Sequence, residues 1–102
     1  MMQGDGYGLP IEIFRGDGTA VLDTDVADVE VSLGPVRKTW KQGEVTFDRG
    51  KWFFPVTQQE TFTLQAQRQR CQVRILWKDG TVEGASLGEI LVTESLSREV
   101  LQ

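Results

Sequence analysis

Apolar and polar residues alternate with a period of two in segment after segment of this chain. Between residues 28 and 33, Val29, Val31 and Leu33 share one phase. Between 70 and 78, Cys71, Val73, Ile75 and Trp77 share one phase, and Gln72, Arg74, Leu76 and Lys78 take the other. That period sends successive side chains to opposite faces of an extended strand. Leu9, Ile11 and Ile13 give a first strand, with Pro10 near its start or on an edge because it has no N–H for a ladder. Thr19 to Leu22 is expected as a short return strand after the Gly16-Asp17-Gly18 turn. Asp23 to Asp25 is expected to cap one helical turn at Val26-Ala27. Residues 36–40 and 44–48 read as further strands.

The most apolar run is Trp52-Phe53-Phe54-Pro55-Val56. Trp52, Phe54 and Val56 share its inward phase, and Asp48-Arg49-Gly50 joins it to residues 44–48 as a hairpin. The next residues, Thr57-Gln58-Gln59-Glu60, fit a capping box: a threonine hydroxyl and a glutamate three residues later each satisfy the other's backbone N–H. One or two helical turns should follow, with Phe62 and Leu64 closing an end of the core. Residues 65–69 read as a loop. Asp79-Gly80 is hairpin chemistry. Thr81 to Glu83 starts a return that Gly84 breaks, and residues 89–93 form a last strand.

This pattern predicts an all-β fold: an immunoglobulin-like β-sandwich of seven to eight short antiparallel strands, with one short helical turn near residues 57–63. The expected organisation is a flexible N-terminal arm over 1–8, a sandwich domain over 9–94 and a tail over 95–102. A chain of 102 residues suits one domain. No stretch approaches the run of about 20 apolar residues that spans a membrane, and the first residues lack the basic and apolar regions of a signal peptide. The expected location is therefore the cytoplasm.

Composition narrows the chemistry. The chain has no histidine and one cysteine, which removes the commonest general base and any internal disulfide. Cys71 falls on an inward phase, where a thiol in apolar surroundings is inert. Glu44 and Asp48 are simpler as outward strand positions than as a catalytic pair. Asp17, Asp23, Asp25 and Asp28 lack the spacing of a calcium loop, and Arg15-Gly16-Asp17 reads as a turn. No enzyme, cofactor or metal site is expected.

Charge is segregated. Residues 1–33 carry seven acids and one base, residues 34–78 nine bases and three acids, and residues 79–102 five acids and one base. Pairing between acidic and basic strands accounts for this, each pair contributing roughly 0.2–1 kcal/mol. Arg68, Arg70, Arg74 and Lys78, with Arg37 and Lys38 nearby, resemble a nucleic-acid platform. The net charge of −4 argues against nucleic acid as the partner. If Trp52, Cys71 and Ile90 define the inward face, then Phe14, Phe53, Leu76 and Leu91 face out. Four such residues on neighbouring strands would form a protein-binding face, covered by Leu96, Val100 and Leu101 of the tail or by another chain. Trp40 is the one tryptophan placed to contact a ligand.

The run Trp52 to Phe62 resembles small proteins of about a hundred residues encoded in prophages and mobile elements of gut Firmicutes. So do Val29-Glu30-Val31, Arg37-Lys38-Thr39, Cys71-Gln72-Val73-Arg74 and the ending Ser95 to Leu101. Val56 and Gln59 are mild variants within the most specific piece. The resemblance implies a β-sandwich module of the kind that accompanies phage tail and baseplate genes. Its partners would be other virion proteins or further copies of itself, and it would enter the virion on assembly. It supplies no catalytic residue. The competing expectation is a small ligand- or carbohydrate-binding module.

Overall fold

The computed structural model describes residues 1–96 and Val100. Seven strands form two antiparallel sheets: β1 (Tyr7–Ile11), β2 (Val26–Leu33), β3 (Val36–Thr39), β4 (Thr46–Asp48), β5 (Lys51–Val56), β6 (Arg68–Trp77) and β7 (Val82–Leu91). The three-stranded sheet runs β1-β5-β4 and the four-stranded sheet β3-β2-β6-β7. The fold is an all-β sandwich. Its strand order follows B, C, C′, D, E, F, G of an immunoglobulin-type arrangement. In place of a leading strand A, Met2 makes a single parallel bridge to Thr93.

The inward faces are those the alternation predicts. From β2 come Val29, Val31 and Leu33, from β5 Trp52, Phe54 and Val56, and from β6 Cys71, Val73 and Ile75; all are buried in one core. Burying each large aliphatic or aromatic side chain contributes roughly 1.5–3 kcal/mol. The Trp52 indole N–H donates to the Val21 carbonyl at 3.1 Å, so the largest core residue buries no unpaired polar atom. The β4–β5 hairpin closes on two residues, Arg49 (φ 51°) and Gly50 (φ 82°). Two positive φ values in a row give the turn twist that matches paired strands.

The helix α1 (Gln58–Thr63) starts on the expected capping box. Glu60 N–H donates to Thr57 Oγ1 at 3.1 Å, and Thr57 N–H donates to Glu60 Oε1 at 2.9 Å. Leu64 is buried at the end of the core, whereas Phe62 is half-buried and lies against Gly4.

Several expectations are corrected. Residues 1–8 are not a free arm. Gln3 is buried, its side-chain amide donating to the Leu64 carbonyl at 2.7 Å, and Gly4 N–H donates to Thr61 Oγ1. β1 begins at Tyr7 rather than residue 9. Asp23–Asp25 forms a 3-10 turn itself, and strand β2 begins at Val26, where a helical turn was expected. Gly84 does not break the last strand: it pairs with Arg74 inside one continuous ten-residue β7. Residues 65–69 are not all loop, because β6 begins at Arg68 and Gln69 is buried. Of the tail residues expected to cover an outward patch, Leu96 is fully exposed and Val100 is exposed. Leu101 lies outside the described residues.

Candidate functional site

The two sheets differ in width, and the mismatch falls on one side. β7 is the outer strand of the four-stranded sheet, and the three-stranded sheet ends at β1 with no strand opposite it. The inward positions of β7 explain why the gap stays open. They are Glu83, Ala85 and Gly88, facing Ile75, Val73 and Cys71 of β6. A charge, a methyl group and a bare backbone cannot reach across the roughly 10 Å between packed sheets. Every residue of β7 except the half-buried Ile90 is exposed.

The opening has two parts. A cleft of about 450 Å³ lies between the 13–21 link and the β6–β7 hairpin. Ile13, Val21, Val73 and Ile75 line its apolar part, and Arg15, Trp77, Asp79, Thr81 and Glu83 its polar part. A smaller groove of about 270 Å³ continues between β1 and the far end of β7, lined by Leu9, Ile11, Cys71, Leu87 and Ile90.

Within the cleft, the Arg15 guanidinium pairs with Asp25 at 3.2 Å and lies 5.4 Å from the centre of the Trp77 ring. Arginine over an indole face is attractive, and more so where water is reduced. The Trp77 indole N–H is buried and has no hydrogen-bond partner. Asp79 accepts from the Thr81 hydroxyl at 2.6 Å and from its N–H at 2.9 Å. These two bonds hold its carboxyl below the usual aspartate range. The arrangement can cradle a small ligand between a cation, an indole and a carboxylate. Cys71 opens onto the smaller groove only through a buried thiol, and burial pushes its pKa up. Among the described residues, no three of Cys, Asp and Glu come together as a metal-holding group.

The structure does not bring Phe14, Phe53, Leu76 and Leu91 into one face. Phe53 is half-buried on the outer side of the three-stranded sheet, opposite Pro10 and Thr46, its ring near Gly8. Leu76 and Leu91 lie on the outer side of the other sheet, paired with Val82 and Arg68. Eight residues of β6 separate them, about 26 Å of strand. Phe14 is exposed in the link after β1, bridged to Ala20, and borders the cleft. Trp40 is half-buried and packs edge-on to Trp52 with ring centres 5.9 Å apart, closing an end of the core.

No protein-family model, curated protein or solved structure matches the chain.

Of the basic residues, Arg37, Arg68, Arg70 and Lys78 are exposed, while two others are engaged within the chain. The Lys38 ammonium donates to Glu60 and to the Pro55 carbonyl, and Arg74 stands 3.8 Å from Glu30 across the sheet. The cleft had no signal in local periodicity. The exposed edge had one: two glycines and an inward glutamate within a single strand.

Proposed function

We propose that the chain is a non-enzymatic interaction module, a structural or assembly component of a phage-type particle that works through protein–protein contacts. The observation that carries this reading is the edge of β7 from Val82 to Glu89, on which no strand lies among the described residues; at Leu91 the Met1 ammonium already donates to the carbonyl at 3.1 Å. A sheet edge presents unpaired N–H and C=O groups and templates another strand unless it is blunted. The other three edges are blunted: β1 carries Pro10, β3 has four residues and two cations, and β4 has three residues. β7 has ten residues and neither proline nor a basic side chain. The likeness to prophage-encoded proteins supplies the particle context. The absence of histidine from the composition supports a non-catalytic role.

Site-specific photo-crosslinking tests the reading. A photoreactive residue at Ser86 should capture protein, whether another copy or a particle component, far more efficiently than one at the exposed Gln59. Equal yields at the two positions would overturn it.

A second reading, a small ligand- or carbohydrate-binding module, is favoured by the cleft and by the unpartnered Trp77 indole N–H. It predicts sugar binding on a glycan array that is abolished by Trp77→Ala and unchanged by Trp40→Ala.

A further inference from the structure

We infer that the chain binds a phosphate group at one end of the outer face of the four-stranded sheet, in a hollow walled by Arg68 and Arg70. The inference goes beyond the interaction-module reading and does not depend on it.

Strand alternation and ladder register build the hollow. In β6, Gln69 and Cys71 are buried, so Arg68, Arg70 and Gln72 point outward, each about 7 Å along the strand from the next. Ser32 of β2 pairs with Gln72 on one side and with Arg37 of β3 on the other. Residues opposite one another share a face, so Arg37, Ser32 and Gln72 form a row across three strands. Gly34 follows on β2's side, its N–H donating to the Arg70 carbonyl at 2.9 Å. A serine and a glycine thus stand where β2 flanks the arginines, and the face is sunken there. The hollow measures about 430 Å³ and is lined by Ser32, Gly34, Gln67, Arg68, Arg70 and Gln72 among others.

Its lining holds two guanidinium groups, side-chain amides and a hydroxyl, with no carboxylate and no apolar side chain. Arg37 adds a third cation at the margin, two strands or about 10 Å from β6. Arg37, Arg68 and Arg70 are all exposed, and among the described residues no carboxylate comes within 4 Å of them. Arg15, Lys38, Lys51 and Arg74 each have such a partner. Acids outnumber bases 15 to 11 in the chain, so these three arginines do not stand alone for want of acids. Glu89 is opposite Arg70 but belongs to β7, across β6 from the hollow. Glu30 is engaged by Arg74.

This donor set selects the ligand class. A guanidinium presents a rigid fork that takes two oxygens of one oxyanion. A carboxylate, with two oxygens and one charge, is satisfied by a single arginine. A phosphate monoester carries three acceptor oxygens and nearly two charges at neutral pH. It can take one fork from Arg68 and another from Arg70, with the Gln72 amide and the charge of Arg37 left to complete the shell. A phosphodiester has two free oxygens and one charge, so a nucleic-acid backbone matches the hollow less well. The hollow is open to solvent, and binding should weaken as salt is added.

Titration of the full chain with phenyl phosphate at low salt, followed by proton–nitrogen NMR, tests the inference. Shifts should concentrate at Arg68, Arg70 and Gln72. Arg70→Gln should weaken binding about tenfold or more, and Arg68→Gln should do the same. Arg70→Lys keeps the charge but loses the fork and should fall in between. Lys78→Gln removes an exposed cation just past the other end of β6 and should leave binding unchanged. The dispersion of each spectrum reports whether the variant is folded. A parallel titration with inorganic phosphate separates the sources: equal affinity assigns the free ion, and tighter binding of the ester assigns a phosphorylated small molecule. The inference is overturned if no shifts appear in the hollow, if Arg70→Gln and Arg68→Gln bind as wild type does, or if Lys78→Gln loses as much as they do. Tighter binding of a short single-stranded oligonucleotide, counted per phosphate, also overturns it. The interaction-module reading stands or falls separately, on the crosslinking from Ser86.

Discussion

Lys38 and Glu60 meet at 2.7 Å, joining edge strand β3 to the start of helix α1. The same carboxylate accepts the Thr57 N–H, and the same ammonium donates to the Pro55 carbonyl at 2.8 Å and lies 5.9 Å from the Phe54 ring centre. One ion pair therefore ties the four-stranded sheet to the segment leaving the three-stranded one.

Glu60→Gln should destabilise the fold by about 1–2 kcal/mol in urea melts, through loss of the charge-assisted bonds. Burial works against ionisation of Glu60, but the hydrogen bonds from Lys38 and Thr57 outweigh it and hold the carboxyl below the ordinary glutamate range. A carboxyl depressed in the folded state binds its proton more readily when unfolded. Its contribution is therefore full above the ordinary glutamate range and is lost as pH falls through the lower folded value. Wild type and Glu60→Gln should converge in stability on acidification. A constant gap across that range would refute the assignment.

Trp52→Ala should cost about 3–5 kcal/mol, the usual range for emptying a large buried aromatic site. Trp52→Phe retains much of the apolar area but leaves the Val21 carbonyl without its donor, and should cost about 2–3 kcal/mol. If Trp52→Phe proves neutral, the bond to Val21 contributes nothing.

Gly34 occupies the β2–β3 turn at φ 54°, and a Cβ there would stand 2.5 Å from Gln69 Oε1. Gln69 cannot swing away cheaply, being buried with its amide donating to the Gln65 carbonyl. Gly34→Ala should lower stability by about 1–2 kcal/mol and the thermal midpoint with it. Gly16→Ala is the control, since a Cβ there meets nothing within 4 Å and the backbone needs no positive φ.

Cys71 should resist an aromatic disulfide reagent at neutral pH in the native protein and react on unfolding, because burial raises its pKa and blocks access. Labelling rates with and without denaturant measure this. Rapid native labelling would show that the groove between β1 and β7 opens to the thiol.

Much of this fold is legible in local pattern. Alternation assigns the inward faces of β2, β5 and β6, and the spacing of Thr57 and Glu60 assigns the helix start, because both depend on residues within one turn or one pleat. Alternation does not say which strands are neighbours. Phe53 and Leu76 share an outward phase yet lie on opposite outer faces, so the expected patch dissolves once topology is known. Gly84 reads as a breaker in isolation, whereas Arg74 on the neighbouring strand lies over it in the ladder. Gln3 reads as part of a loose arm because its partner, the Leu64 carbonyl, is 61 residues away. The Arg15–Trp77 contact and the cleft around it depend on sheet widths, which no short window encodes.

The pairing of the first residues with Thr93 has a mechanical consequence. Gln3 N–H donates to the Thr93 carbonyl at 2.9 Å, and Thr93 N–H donates to the Met1 carbonyl at 2.8 Å, between segments running in the same direction. Tension applied at residue 1 and beyond Thr93 would slide these segments past each other, loading both bonds at once in shear instead of peeling them singly. The core strands would feel the force only after that clasp gave way.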